Sequence, residues 1–352
     1  MRGARAALLA VALAVALLGL GLTRALTRAV PAEDFALKQA AAEHMRRCMD
    51  AVLSYRRELG IPPLPEDARG TGMLGDHFNA VTTTAGAADA KRTTADPNMA
   101  ALMVGMLTEA GVGPGDRVGA GLSGSFPAMN LALICACEAI GAELIYIASV
   151  GASTYGANLP QLTFPDMALR LYADALIGTP PAAFSMGGAS DVGLDMDAAL
   201  SGEVRARLSA SGVPFLDIRD FGANLRARMQ LYAEGGPIDC FVGVGGGITT
   251  NGTGPSAPPH GILRAGDVGA TGDRSGLIEI YAAAGVPAVH VIDIRKLVAD
   301  YGMPYDPETP PAIGEGAPYM RTEYSKIPAA CALAVDAALL ICGHRRGRRV
   351  RR

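Results

Sequence analysis

Asp116-Arg-Val-Gly-Ala-Gly-Leu-Ser-Gly-Ser-Phe-Pro127, followed by Ala128-Met-Asn-Leu-Ala-Leu-Ile-Cys-Ala-Cys-Glu-Ala-Ile140 and Gly141-Ala-Glu-Leu-Ile-Tyr-Ile-Ala148, decides how the rest of the chain is read. Asp116 to Ser123 is a short apolar run entering a glycine and serine turn, which predicts a buried strand. Ala128 to Ile140 carries Met129, Leu131, Leu133, Ile134, Cys137 and Ile140, too long an apolar segment for a strand and closed as a helix by Gly141. Glu143 to Ala148 reads as a second strand, and it too ends in small polar residues, Ser149 to Asn158. The unit is β-α-β. Ligands of open α/β sheets gather at the carboxyl ends of the strands, and both ends here are rich in hydroxyls and glycines, so the site is expected there.

The same alternation continues outward. Helices are expected over Met99–Ala110, Pro165–Leu176, Asp197–Ser209, Phe221–Tyr232, Gly276–Ala284 and Asp293–Tyr301, and strands over Pro214–Ile218, Ile238–Val244 and Pro287–Ile292. This order predicts an α/β fold over residues 75–326: a mostly parallel, Rossmann-like sheet covered by helices on both faces. Strand ends near Ser123, Ser149, Val244 and Ile292 are expected to converge on one crevice. Val81 to Asn98 reads as too polar for a strand and too small for core, apart from a helix start at Asp96-Pro97-Asn98. Ala32 to Leu59 is a charged amphipathic segment, with Met45, Cys48, Met49, Val52 and Leu59 at helical spacing. It is read as a membrane-proximal helix over residues 32–60, packed on the domain or on another subunit.

Of the 352 residues, 50% are hydrophobic and only 18% charged, enough apolar material for a sizeable core. The net charge of -3 hides basic ends. Arg2 and Arg5 precede an uncharged apolar run at 6–23, and the tail His344-Arg-Arg-Gly-Arg-Arg-Val-Arg-Arg352 follows a second apolar run at 327–343. Basic clusters flanking apolar runs point to membrane topology. The tail lacks aromatic residues for base stacking, so no nucleic-acid partner is expected. The first run exceeds the usual signal-peptide core of roughly 7–15 residues and no Ala-x-Ala site follows it, which favours an uncleaved anchor. The second run is interrupted by Asp336, whose insertion costs about 2.5–3.5 kcal/mol; a second span and a buried domain helix are both open, the basic tail favouring the span. Two spans put both ends in the cytoplasm and the α/β domain outside the cytoplasmic membrane. The six cysteines form no visible disulfide framework.

Gly121-Leu-Ser-Gly-Ser125 approximates the G-x-S-x-G nucleophile elbow, with serine in place of the last glycine. A sharp strand-to-helix turn would present Ser123 or Ser125 as a nucleophile, beside N–H groups from Gly124 to Phe126 acting as an oxyanion hole. For a base, His290 sits in an apolar strand and reads as structural, His260 lies in a proline-rich loop, and Lys91 would serve as in Ser-Lys hydrolases. An anion-binding or merely turn-forming loop is the competing reading. Gly243-Val-Gly-Gly-Gly-Ile248 departs from the dinucleotide fingerprint at Ile248, leaving Gly245, Gly246 and Gly247 as a backbone nest for a carboxylate or as a tight turn. Asp191, Asp195 and Asp197 read as a solvated turn. No zinc spacing, calcium loop or P-loop occurs, so neither metal nor cofactor is expected.

Several of these segments together resemble the bacterial poly-γ-glutamate system protein family, found with the machinery that makes and exports poly-γ-glutamate. The resemblance rests on Thr82-Thr-Thr84, Lys91-Arg-Thr93, Asp96-Pro-Asn98, Ser123-Gly-Ser-Phe-Pro127 with Asn130, and Ser149 to Asn158. Gly243 to Gly247 and Tyr301-Gly-Met-Pro304 add to it, and it covers about residues 75–305. It implies a membrane-bound role in capsule biosynthesis, with poly-γ-glutamate or another glutamate-containing molecule as substrate and other subunits of the synthesis and export system as partners. Two classes of function stay open. One is a serine hydrolase or transferase with Ser123, Ser125 and Lys91 as catalytic residues. The other is a non-catalytic polyanion-binding or scaffold subunit. In both, Arg92, Thr83, Thr84, Asn130, Ser149, Ser153, Thr154, Asn158 and Gly245 to Gly247 are the expected substrate contacts, arginine because its planar fork binds both oxygens of a carboxylate.

Overall fold

The computed structural model describes residues 2–349; Met1 and 350–352, the outermost parts of the basic start and tail, lie outside the described residues. The chain forms two units, one spanning Asp34–Tyr319 and a smaller one in which the residues up to Glu33 combine with those from Met320 onward. In the smaller unit the helix Arg2–Ala25 leads into β1 (Arg28–Pro31), which pairs antiparallel with β11 (Met320–Glu323) ahead of the helix Lys326–Arg349. Ala6–Ala25 and Lys326–Gly343 are apolar helices long enough to cross a membrane. They meet at Gly19, where an added Cβ would sit 2.5 Å from that of Ala332. Small residues permit such close helix approach. Asp336 Oδ1 is shielded there without a hydrogen-bond partner among the described residues.

The larger unit is built on a seven-stranded sheet. Its strand order is β7 (Phe215–Leu216), β6 (Ala183–Ser185), β4 (Glu143–Ser149), β3 (Arg117–Leu122), β8 (Cys240–Val244), β10 (Ala288–Val291) and β9 (Gly261–Leu263). Every pairing is parallel except that of β9 with β10. Strands are added leftward from β3 to β7 and then rightward from β8, so the order reverses between β3 and β8. A separate parallel pair joins β2 (Thr82–Thr84) to β5 (Ala152–Ser153).

Alternation along the strands divides the core between the two faces of the sheet. Val118, Ala120 and Leu122 of β3 share the main cluster with residues of the helices Phe35–Glu58, Asn98–Ala110 and Pro127–Ile140. Phe241 of β8 and Ile147 of β4 point the other way, toward Tyr232 and Ile278 of the helices Phe221–Tyr232 and Leu277–Ala283. Glycine lets those helices lie close to the sheet. A Cβ at Gly243 would fall 3.1 Å from Ile278 Cδ1, and one at Gly119 would fall 3.3 Å from Tyr232 Cγ.

The helix Phe35–Glu58 packs on the larger unit, one of the two placements expected of it: Met45, Cys48, Met49 and Val52 are buried in the main core, Leu59 alone of the spaced apolar residues is exposed, and the compact unit begins at Asp34. Val81–Asn98, judged too polar for a strand, contains β2 and the helix Ala88–Thr94, and Val81, Thr82, Lys91, Thr93, Thr94, Asp96 and Asn98 are all buried. Polar side chains are tolerated there because they find hydrogen-bond partners: Thr82 Oγ1 accepts from Asn79 N at 2.8 Å and from Asn158 Nδ2 at 2.9 Å. The strands β6, in a stretch read only as glycine-rich, and β9 were not anticipated.

Candidate functional site

The carboxyl ends of β3, β4, β6, β8 and β10 open onto a cavity of about 470 Å³ whose lining includes Ser123, Ser149, Gly187, Gly246 and Ile292. It lies where the strand order reverses, the position at which open α/β sheets leave a crevice. Thr83, Thr84 and Gly86 form another wall, brought in by the pairing of β2 with β5.

Ser123 and Ser125 occupy the turn between β3 and the helix Pro127–Ile140. Proline at the first helical position suits this start, since its missing N–H would have no partner there. Ser123 Oγ donates to Ser125 Oγ at 3.1 Å, and Ser125 Oγ accepts the amide of Ser153 at 3.0 Å. Two of the amides read as an oxyanion hole are occupied inside the turn: Ser125 N–H donates to Ser123 Oγ at 3.2 Å and Phe126 N–H to Ser123 O at 3.5 Å.

Lys91 reaches the cavity from the helix Ala88–Thr94 and is only 3% exposed. Its Nζ lies 2.8 Å from Ser153 Oγ, 2.5 Å from Ser125 O and 3.4 Å from the centroid of the Phe126 ring. Burial pushes its pKa down to about 7, because a desolvated ammonium is disfavoured. Lys91 Nζ donates to the Ser125 carbonyl and to Ser153 Oγ and faces the Phe126 ring; on losing a proton the amine keeps two N–H groups and gains a lone pair within reach of the Ser153 hydroxyl. The hydroxyl within reach of the amine is therefore that of Ser153, not that of Ser123 or Ser125. Gly86 keeps the space in front of it open, since a Cβ there would come within 2.7 Å of Ser153 Oγ. Gly86→Ala is expected to displace the Ser153 hydroxyl, which a crystal structure of the variant would show, while leaving the circular dichroism spectrum unchanged.

Of the expected substrate contacts, Thr83, Thr84, Ser149, Ser153, Gly246 and Gly247 line the cavity. The others have structural employment. Arg92 is paired with Asp306, Nε to Oδ1 at 2.9 Å, and does not line it. Asn130 is fully buried and donates to Ser123 O at 2.8 Å, bracing the turn. Asn158 is fully buried and holds both the N–H and the C=O of Asp76, each at 2.8 Å. Thr154 Oγ1 accepts from Gly86 N at 2.7 Å and donates to Gly86 O at 2.8 Å, fixing the glycine that faces Ser153. Gly245 adopts φ 83 and donates to Val291 O at 2.8 Å, a turn at the end of β8. His290 is fully buried with Nδ1 3.0 Å from Pro259 O, and burial lowers its pKa, while His260 Nε2 lies 2.9 Å from Asp300; neither lines the cavity.

Of the acidic cluster, Asp195 and Asp197 are exposed, as a solvated turn requires, but Asp191 is not. Asp191 is 2% exposed and paired at 2.6 Å with Arg228, itself 1% exposed. Ser185 Oγ donates to Asp191 Oδ1 at 3.0 Å, accepts from Arg228 Nη2 at 3.0 Å, and lies 2.9 Å from Ser149 Oγ at the cavity. Asp195 lines the cavity with Oδ1 accepting the Ala189 amide, and Asp197 caps the helix Ala198–Ser209. Away from the cavity, the ligand atoms of His44, Cys48 and Cys135 lie within 4.8 Å of one another. The only sequence signals of that cluster are His44 and Cys48 four apart, and Cys135 and Glu138 three apart. No protein-family model, curated protein or solved structure matches this chain.

Proposed function

We propose that this chain is a membrane-anchored serine hydrolase or acyltransferase that acts on γ-glutamyl amide bonds of poly-γ-glutamate, as a component of its synthesis and export system. The observation that carries the chemistry is the 2.8 Å contact between the buried Lys91 amine and Ser153 Oγ. The substrate rests on the resemblance of residues 82–158 to the poly-γ-glutamate family. A Rossmann-like sheet is supported by the strand order and its reversal at β3 and β8. The apolar helices at both ends supply the anchor, and the arginines beyond them favour cytoplasmic ends with Asp34–Tyr319 outside the membrane.

In this reading Ser153 Oγ attacks the amide carbon and its proton passes to Lys91 Nζ. Collapse of the tetrahedral intermediate breaks the C–N bond, and Lys91 returns the proton to the leaving amine. Water, or a second amine in a transferase, then resolves the ester on Ser153 with Lys91 again as base. Ser123, Ser149 and the threonines of β2 offer hydroxyls to the bound chain.

Full-length protein in detergent, incubated with poly-γ-glutamate and followed by gel and by free-amine release, is expected to shorten the polymer. Ser153→Ala is expected to abolish shortening while retaining binding. Shortening that survives in Ser153→Ala overturns the mechanism, and binding without shortening by the wild type gives the chain to the non-catalytic scaffold class.

A further inference from the structure

We propose that His44, Cys48, Cys135 and Glu138 form a binding site for a zinc-class divalent metal ion that clamps the helix Phe35–Glu58 to the helix Pro127–Ile140. The site lies outside the cavity and does not depend on the function proposed for it. His44 and Cys48 are one turn apart and share a face of the first helix, and Cys135 and Glu138 share a face of the second. The ligand atoms of His44, Cys48 and Cys135 all lie within 4.8 Å of one another. Zinc takes sulfur at about 2.3 Å and nitrogen at about 2.0 Å, which puts tetrahedral ligands roughly 3.3–3.8 Å apart. The three atoms close to that spacing by side-chain rotation of about 1 Å. Glu138 Oε2 lies 3.5 Å from His44 Nδ1; it is outside the 4.8 Å group of the other three and completes the set by a side-chain movement toward them.

The surroundings orient these groups as a metal site requires. His44 Nε2 lies 2.5 Å from Leu176 O, so the proton sits on Nε2 and the lone pair is left on Nδ1. A ligating histidine holds its other nitrogen in this way. Glu138 Oε1 accepts the Gly178 amide at 2.7 Å, leaving Oε2 toward the histidine. Cys48 and Cys135 are fully buried, whereas the side chains of His44 and Glu138 remain 17% and 25% exposed, which gives the ion an entry path. Two thiolates, an imidazole and a carboxylate select a soft or borderline ion over magnesium or calcium.

The test uses cobalt(II) as a spectroscopic stand-in for zinc. Full-length protein in detergent, reduced and stripped with chelator, is expected to bind one cobalt per chain with a thiolate-to-cobalt charge-transfer band and tetrahedral d–d bands. Zinc is expected to displace the cobalt and to raise the thermal midpoint. Cys48→Ser and Cys135→Ser are each expected to lose the charge-transfer intensity of one sulfur and to weaken binding by about 100-fold or more. Cys331→Ser, on the exposed face of the helix Lys326–Arg349, is expected to leave the band intact. His44→Gln changes a partly exposed ligand without touching the core and is expected to weaken cobalt binding while the fold, read by circular dichroism, persists. Absence of a thiolate band in the wild type, or a band that survives in the Cys48→Ser, Cys135→Ser double variant, overturns the proposal. A histidine–glutamate ion pair alone gives the first of those results.

Discussion

Lys91→Met is expected to lower kcat for polymer shortening by about 10²–10⁴-fold, the range that a positioned general base contributes. Methionine fills a similar volume in the buried slot, so binding and thermal stability are expected to be largely retained and the loss to appear in kcat rather than KM. Lys91→Arg is expected not to rescue, because a guanidinium stays protonated and has no lone pair to accept the Ser153 proton. The pH dependence follows from the depressed pKa of about 7. The neutral amine is the active form, so kcat is expected to rise as pH passes upward through about 7. That limb is absent from any residual activity of Lys91→Met. Stability carries the same signature. Between about 7 and the ordinary lysine value of about 10.4, the unfolded chain holds a proton at Lys91 that the folded chain lacks. This group therefore makes the protein more stable as pH rises through that window. A wild-type profile flat between pH 6 and 8, as an order-of-magnitude window around the amine, would remove Lys91 from the role of base.

The second large effect is on stability. Arg228→Met is expected to cost about 3–5 kcal/mol, because it leaves the carboxylate of Asp191 buried without its counter-charge. For a unit of this size each kcal/mol lowers the thermal midpoint by about 2–4 °C, so a fall of roughly 6–20 °C is expected by scanning calorimetry. Asp191→Leu alone is expected to be comparably damaging, through an uncompensated guanidinium. The double variant is expected to be less destabilised than the sum of the two single changes, since replacing a buried pair with apolar groups removes the desolvation penalty of both charges. The consequence reaches the cavity. Arg228 and Asp191 both bond Ser185 Oγ, which bonds Ser149 Oγ. Ser190 and Asp191 also hold left-handed backbone, φ 56 and 61, and Asn224 Nδ2 bonds Asp191 Oδ2 at 2.9 Å. Strained backbone of this kind persists where neighbours over-determine it. Additive single and double variants would show that the pair is not a coupled unit.

Much of the scaffold was legible in the chain because it depends on local signals. Gly141 ends the helix Pro127–Ile140 with φ 80, and Asp293 caps Ile294–Asp300 by accepting Lys296 N at 3.0 Å. Apolar runs of strand length became β3, β4, β8 and β10, and the expectation that their ends would meet was fulfilled at one cavity. These features need only the period of hydrophobic residues and the conformational preferences of the residues at element ends. The apolar helices at the two ends follow equally from composition.

Tertiary structure alone decided the pairings. Lys91 reaches the hydroxyl of Ser153 rather than those of the elbow serines because β2 pairs with β5 and places the helix Ala88–Thr94 over that strand end. Spacing within a motif carries no trace of such a contact between distant segments. Arg92, next in sequence, turns to Asp306 instead. Asp191 and Arg228, or Cys48 and Cys135, stand as unremarkable single residues until two elements pack. Thr82 of the short polar strand Thr82–Thr84 is buried because its hydroxyl finds the distant Asn158 as well as Asn79, a partner that local sequence does not encode. The chain by itself determined the central strands and most of the helices that follow them, and where those strands present hydroxyls, but not β2, β6, β9 or the helix Ala88–Thr94. Packing determined which of those hydroxyls meets the Lys91 amine, because burial and proximity are properties of the assembled layers and not of any one of them.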